Sequence, residues 1–147
     1  MQARNPYRAM TSTYARLLRD GAALPLGGLA PPERPRLAAN APKALIFSPH
    51  PDDECIVGAL PLRLRRELGM NIVDVAVTLG SRKERQAERR RELEGACAYI
   101  DFRLLATVEN GLEHINKETR ERKPELWAAA VEVIAEILRR EQPQIIL

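Results

Sequence analysis

Residues 44–54 read Ala-Leu-Ile-Phe-Ser-Pro-His-Pro-Asp-Asp-Glu, a short apolar run that leads into a loop with two prolines, a histidine and three carboxylates. Residues 55–60, Cys-Ile-Val-Gly-Ala-Leu, follow and read as the start of a helix. A strand, a stiff loop and a helix in this order place the loop at the carboxyl end of a strand, where open α/β sheets bind their ligands. The stretch therefore predicts an α/β fold whose polar chemistry is concentrated in residues 48–54.

Two side chains of this loop are suited to binding a metal ion. His50 and Asp53 are three residues apart, and Pro51 between them restricts the backbone, so an imidazole nitrogen and a carboxylate oxygen can meet at one point. Zinc takes both kinds of ligand at about 2.0–2.2 Å. Asp52 would point elsewhere, and its carboxylate would then be free to accept a proton from water. The loop offers two zinc ligands and a general base.

The same carboxylates also have an ordinary structural interpretation. Aspartates at a helix start accept hydrogen bonds from backbone N–H groups and face the positive end of the helix dipole, and Glu54 in the first turn fits this arrangement. An isolated His-x-x-Asp spacing is a weak signal. The residues by themselves leave helix capping and metal binding open.

The string Pro49-His50-Pro51-Asp52-Asp53-Glu54 resembles the signature of the PIG-L/LmbE-like family, zinc-dependent de-N-acetylases of N-acetylated sugars and related amides. The resemblance covers roughly residues 43–147. Besides the signature it includes Thr78-Leu79-Gly80 after a second apolar run, the helix segment 89–97 with its Arg-x-x-Glu-Leu-x-x-Ala pattern, and the strand-like segment 143–147.

The resemblance implies a function and a set of site residues. A family member would remove an acetyl group from the amide nitrogen of an N-acetylated sugar or related conjugate, with Zn²⁺ as its cofactor. Carried over to this sequence, His50 and Asp53 become the zinc ligands and Asp52 the general base. Arg89 corresponds to an arginine that holds substrate. Asn110 stands where the family often has a sugar-contacting aspartate.

The sequence departs from the family pattern at the last metal ligand. Family members supply a third ligand, a histidine, in a loop after the strand that corresponds to residues 144–147, and this chain stops on that strand. We therefore expect residues 43–147 to be the N-terminal part of a deacetylase domain, with the third ligand and the general acid beyond Leu147. A non-catalytic sugar-binding or assembly module of the same fold, without a complete metal site, is the alternative.

The rest of the chain is predicted from its pattern of apolar residues. Residues 1–42 read as an irregular extension with a short helix at 13–20, which packs on the domain or a partner subunit or else forms a disordered tail. From Lys43, strands and helices alternate, which predicts a Rossmann-like, mostly parallel sheet with helices on both faces, apparently truncated after the fourth strand. The predicted strands are 44–48, 71–79, 102–105 and 144–147, and the predicted helices are 53–69, with a kink at Pro61, 82–100 and 124–141.

Composition excludes several classes of partner. The 147 residues carry a net charge of only +3, and the arginines of residues 82–91 alternate with glutamates, as on a solvated helix face rather than a nucleic-acid surface. The sequence shows neither a membrane span nor the apolar core of a signal peptide. We expect a cytoplasmic protein whose partner is a small-molecule N-acetylated sugar or glycoconjugate, and the sequence leaves open whether it forms a homo-oligomer.

Four further residues, two cysteines, a tryptophan and a histidine, are of types that often occur in cores or functional sites. Cys55 and Cys97 are too few for a disulfide framework, and we expect both to pack as small apolar residues. Trp127 lies at helical spacing with apolar neighbours and is predicted to anchor the core. His114 is interpreted first as a surface or supporting residue, with a role as substitute third ligand as the alternative.

Overall fold

The computed structural model describes residue 5 and residues 7–25 and 33–147, in two units, 1–32 and 33–147. In the first unit, helix α1 spans Arg8–Ala22, longer at both ends than the predicted helix. The helix ends shortly before Pro25, because the proline ring clashes with the preceding residue when that residue is in a helical conformation. Residues 26–32 of the predicted irregular arm lie outside the described residues, and residues 33–42 carry neither helix nor strand.

The second unit is built on a sheet of four parallel strands, as the sequence predicts. In spatial order the strands are β3 (Arg103–Ala106), β2 (Asn71–Ala76), β1 (Lys43–Ser48) and β4 (Ile145–Ile146). The chain leaves β1 towards one side of the sheet and later returns to the other side as β4. The carboxyl end of β1 is therefore the topological switch point, where open α/β sheets bind ligands.

Strand β2 is three residues shorter than predicted. Val77 still donates its N–H to Ser48, but its own carbonyl accepts the N–H of Leu112 at 2.7 Å. Thr78 then forms an isolated antiparallel bridge with Gly111. The apolar run continues through Leu79, but its last residues leave the ladder because the loop after β3 crosses the end of the strand.

The predicted helix 53–69 is two helices, so that prediction is wrong. A break at Val57–Gly58 separates α2 (Asp53–Ile56) from α3 (Ala59–Glu67). Pro61 thereby falls in the first turn of α3, where its missing N–H would have no partner in any case, and the expected kink does not arise. The other helices are a 3₁₀ turn (Lys83–Arg85), α4 (Gln86–Ile100), α5 (Lys117–Arg122) and α6 (Pro124–Glu141).

Side chains alternate across the sheet and form a core on each face, which confirms the predicted three-layer arrangement. On one face, Ile46 and Ile72 pack with Leu64 of α3 and Leu93 of α4. The other face packs against α6, and its buried residues are Leu45, Val73, Val75 and Ile137. Burial of such a side chain contributes about 1.5–3 kcal/mol.

Two residues predicted to be buried are not. Trp127 is only partly buried and belongs to neither core, and Cys55 is exposed, whereas Cys97 is buried as expected. None of the helices in the part of the chain that the structure describes combines the length and apolar character that crossing a bilayer requires.

Two polar clusters fix the edges of the second unit. At the amino end of the sheet, the nearly buried Glu141 accepts hydrogen bonds from Lys43 at 3.1 Å and from Arg103 at 2.5 Å, which ties α6 to β1 and β3. At the ends of α3 and α4, the buried Arg65 pairs with Asp101 and donates to the Pro35 carbonyl at 2.8 Å. The second contact holds the segment before β1 against these two helices.

Candidate functional site

The motif loop, residues 49–54, begins directly after β1 and is tied to the end of β2. Val77 donates its N–H to the Ser48 carbonyl at 2.9 Å, and the Thr78 hydroxyl donates to the Pro49 carbonyl at 2.6 Å. Because β1 is a central, buried strand, these bonds anchor the loop to the most rigid part of the sheet. The loop is thus held at the switch point.

His50 and Asp53 come together on this loop. The Asp53 Oδ2 atom lies 3.6 Å from His50 Nδ1 and accepts the backbone N–H of His50 at 2.7 Å. The His50 side chain is 68% exposed and the Asp53 side chain is 27% exposed, so solvent or a metal ion can reach both side chains. An imidazole nitrogen and a carboxylate oxygen fit zinc chemistry as part of a ligand set. Among residues 5, 7–25 and 33–147, no three His, Cys, Asp or Glu side chains gather around one point.

Asp52 has a backbone conformation that side chains rarely adopt. Its φ is 120° and its ψ is −19°, a combination that costs of the order of 1–3 kcal/mol for a residue with a Cβ. Although Asp52 precedes α2, its side chain makes no capping hydrogen bond. Strain of this kind persists only where the surroundings impose it, and it is concentrated at functional sites.

Glu54 is one of the groups that impose this conformation. Its side chain is buried, with 2% of the residue exposed, and its Oε2 atom accepts the Asp52 N–H at 2.9 Å. Its Oε1 atom accepts the Cys55 thiol at 3.2 Å. Burial, followed by this hydrogen bond to Glu54, raises the pKa of Cys55 to about 11. Through these two hydrogen bonds, the Glu54 carboxylate binds the loop that precedes α2 and the first turn of that helix. The Asp52 carboxylate makes no hydrogen bond to the helix backbone.

A buried carboxylate lies beneath the loop. Asp74 in β2 is fully buried and accepts the Ser48 hydroxyl at 2.5 Å, while the Cys97 thiol lies 3.6 Å from its other oxygen. Burial raises the pKa of Asp74 to about 6, although the hydrogen bond from Ser48 acts in the opposite direction. Asp74 thus links β2 and α4 to the residue from which the motif loop starts.

A cavity of about 510 Å³ opens beside the motif loop. His50 contributes one wall, and the turn after β2 together with α4 contributes another, through Gly80, Lys83 and Arg89. Gly80 has a φ of +82°, and a Cβ there would lie 1.9 Å from the guanidinium of Arg89. The glycine makes room for Arg89 at the cavity wall.

The remaining wall is the loop between β3 and α5. Thr107 and Leu112 hydrogen-bond to the carbonyls of residues 76–77, and Gly111, with a φ of +76°, packs so closely that a Cβ would lie 2.8 Å from Thr78 Cα. These contacts fix the loop before it reaches the cavity. Residues 112–116 of the loop line the cavity.

The structure separates the predicted site residues into two groups. His50 and Arg89 line the same cavity, whereas Asp52, Asp53 and Asn110 are not among its lining residues. His114 also lines it, at a φ of +58° and with its Nε2 atom 3.9 Å from the Glu113 carboxylate.

The part of the chain that carries this geometry, residues 45–147, matches the family model for PIG-L, described as GlcNAc-PI de-N-acetylase. The chain belongs to the PIG-L family. The matched region takes in most of the sheet, the motif loop and the cavity. No curated protein matches the sequence.

A solved structure shares the fold of this PIG-L chain. It is N,N'-diacetylchitobiose deacetylase from Pyrococcus horikoshii complexed with its inhibitor MPG, and it superposes with a TM-score of 0.50 at 22% sequence identity. The match covers 99% of this chain and 51% of that chain, so the PIG-L chain described here spans about half the length of the deacetylase. At this level of identity the likeness bears on the fold alone.

Sequence reasoning missed two features of the PIG-L site. Asp74 carried a signal, since it is a charged residue inside the apolar run 72–76 of a strand expected to be buried on both faces. The wall formed by residues 112–116 carried no signal in the sequence, because its position depends on hydrogen bonds to residues 76–77, which are far away along the chain.

Proposed function

We propose that this chain acts in the zinc-dependent hydrolysis that removes an acetyl group from the amide nitrogen of an N-acetylated sugar or related conjugate. One observation carries the proposal: His50 Nδ1 and Asp53 Oδ2 lie 3.6 Å apart, while the neighbouring Asp52 carboxylate makes no helix-capping bond. The membership of the PIG-L family supports the same chemistry. Helix capping, the competing interpretation of these carboxylates, has no corresponding side-chain hydrogen bond at Asp52.

His50 and Asp53 would hold the zinc ion together with one further ligand. When bound, zinc supplies a Lewis acid that polarises the amide carbonyl and lowers the pKa of water. Asp53 is preorganised for this role, because the backbone N–H of His50 already fixes its Oδ2 atom. Both side chains come from one short loop anchored to β1, so little conformational freedom is lost on binding.

Asp52 would serve as the general base. It would accept a proton from the attacking water as the new bond forms between the water oxygen and the carbonyl carbon. The carbon–nitrogen bond would then break as that proton is delivered, directly or through another protonated group, to the departing amine, which gives the free amine and acetic acid. Two features support this assignment. The bond from the Asp52 N–H to Glu54 fixes the backbone, and the exposed Asp52 carboxylate is not engaged by α2.

Arg89 and Asn110 are proposed as substrate-binding residues. A cavity of about 510 Å³ is in the range of small-molecule sites, about 300–1,000 Å³. Arg89 at its wall has a guanidinium able to donate to several sugar hydroxyls, and Gly80 leaves space for it. Asn110 lies in the turn beside Gly111, at the entrance to the loop that forms the opposite wall.

The charged surface of α4 supports a small molecule, rather than nucleic acid, as the partner. Arg90 pairs with Glu94 of the same helix at 3.1 Å, and Arg85 of the preceding 3₁₀ turn pairs with Glu88 of α4 at 3.3 Å. Each pair neutralises a charge that phosphate binding would require.

Release of acetate from a panel of N-acetyl sugars tests the proposal. Asp52→Asn should keep zinc and lose about 10²–10⁴-fold in rate, because removing a general base has an effect of that size. Asp53→Asn should lose zinc as well as activity. Asp20→Asn in α1 is the matched control and should change neither. Full activity of Asp52→Asn would reject the assigned base, and sugar binding without zinc or hydrolysis would identify a non-catalytic binding module instead.

A further inference from the structure

A second, smaller cavity adjoins the polar cavity of the site. Its volume is about 110 Å³, and all of its lining residues are apolar. Helix α6 supplies Trp127, Val131 and Ile134, and the loop after β3 supplies Leu112 and Ile115. We call it the Trp127 pocket.

The residues of this pocket are not used by the core. Trp127 and Ile134 belong to neither core cluster, and Val131 is 50% exposed. Tryptophan is a large apolar side chain whose burial contributes strongly to cores and interfaces, and it is the only one in the chain. Apolar groups gathered in a concave surface are typical of ligand sites.

Hydrogen bonds on both sides of the pocket fix the backbone segments that carry its walls. Leu112 donates its N–H to Val77 at 2.7 Å, and Asn116 caps α5 by accepting the Thr119 N–H at 2.9 Å. On the opposite side, the backbone N–H of Trp127 donates to the Lys123 carbonyl at 3.1 Å, in the first turn of α6. A ligand would therefore meet a preformed pocket, which lowers the entropy lost on binding.

Continuity with the polar cavity indicates what fills the pocket. Leu112 and Ile115 line both cavities, so the two cavities lie next to each other and a ligand that extends past these two residues would reach from one to the other. His50 lines only the polar cavity. Because the acetyl group must lie near the motif loop, the group in the Trp127 pocket is attached at another point of the sugar.

We propose that the substrate carries an apolar aglycone, and that this group binds in the Trp127 pocket while the N-acetyl sugar occupies the polar cavity. This inference rests on the proposed function and specifies its substrate class. A dry apolar cavity of about 150 Å³ holds benzene, so a pocket of about 110 Å³ suits a short alkyl chain. Each buried methylene should strengthen binding about fourfold.

Fluorescence of Trp127 tests the inference without requiring hydrolysis. The zinc-loaded protein is titrated with the methyl and butyl β-glycosides of N-acetylglucosamine, and with butyl β-glucoside, which lacks the acetamido group. The butyl N-acetylglucosaminide should bind at least tenfold more tightly than both of the others. Val131→Asp should abolish the preference for the butyl over the methyl N-acetylglucosaminide, whereas Leu126→Asp, at a position of the same helix that is 56% exposed and outside the pocket, should retain it.

Acetate release measured on the same glycosides separates this inference from the proposed function. Hydrolysis of the methyl glycoside with no preference for butyl overturns the aglycone pocket and leaves the function standing. A butyl preference with no acetate from any glycoside overturns the function and leaves the pocket standing. Equal binding of butyl β-glucoside, or a preference for butyl over methyl that survives Val131→Asp, overturns the proposed coupling between the two cavities.

Discussion

Replacing Asp74 with asparagine should change how the stability of the protein depends on pH. Asp74 is fully buried beneath the motif loop, and its hydrogen-bond donors, Ser48 and Cys97, are both neutral. Burial raises the pKa of Asp74 to about 6, from an ordinary value of 3.8. Asparagine keeps the shape and the carbonyl acceptor of the side chain and removes its charge.

The size of the effect follows from the shift in pKa. The folded protein binds the Asp74 proton more tightly than the unfolded chain does, so the contribution of this group to stability is complete below about pH 4 and falls as the pH rises towards 6. A shift of about 2 units corresponds to about 3 kcal/mol of free energy of unfolding lost by pH 7. Asp74→Asn does not undergo this loss.

Urea unfolding of the two proteins at pH 4 and pH 7, with a chelator present, measures the difference. Between these pH values the stability of Asp74→Asn relative to the wild type should rise by most of that 3 kcal/mol, because the other titrating groups are common to both proteins. Asp20→Asn in α1 should give no such change. Parallel pH dependence of the wild type and Asp74→Asn would refute the reasoning.

Three other substitutions give clear expectations. Asp52→Gly should be about 1–3 kcal/mol more stable than Asp52→Ala in thermal unfolding, because only glycine relieves the strain at φ 120°, and equal stability would argue against strain. Glu141→Gln should cost about 1–3 kcal/mol at pH 7 and less in acid. Burial alone would raise the pKa of Glu141, but bonds from two basic side chains lower it, so its contribution to stability is lost as the pH falls; a constant difference would contradict this. Gly111→Ala should lower the unfolding temperature by displacing the loop from Thr78, and an unchanged value would mean that the loop can move aside.

The architecture could be predicted because it is encoded in short-range patterns. Helix α6 carries apolar residues at helical spacing and matches its prediction, Pro124–Glu141, at both ends. The break between α2 and α3 was missed because the apolar pattern runs through it. Helix α5 was missed because its residues, Lys117–Arg122, are almost all charged and show no apolar periodicity; it depends on the Asn116 cap.

In the site too, the features that depend on neighbouring residues could be predicted from the sequence, and the features that depend on distant residues could not. The proximity of His50 and Asp53 follows from three residues of spacing and a proline, and the structure has their polar atoms at 3.6 Å. The meeting of Arg89 with His50 at one cavity came from the family resemblance, since no local pattern relates residues so far apart. Trp127 shows the limit: helical spacing indicates that it faces the domain but not that it lines a pocket beside the site.

The affinity of the purified chain for zinc, measured by calorimetric titration, is the most direct test of the central claim. The account predicts that zinc binds the wild type and Asp52→Asn with similar affinity, and that both His50→Ala and Asp53→Asn bind zinc more weakly than the wild type. A wild-type chain that binds no zinc, or variants at His50 and Asp53 that bind it as tightly as the wild type, would contradict the assignment of these two residues as metal ligands.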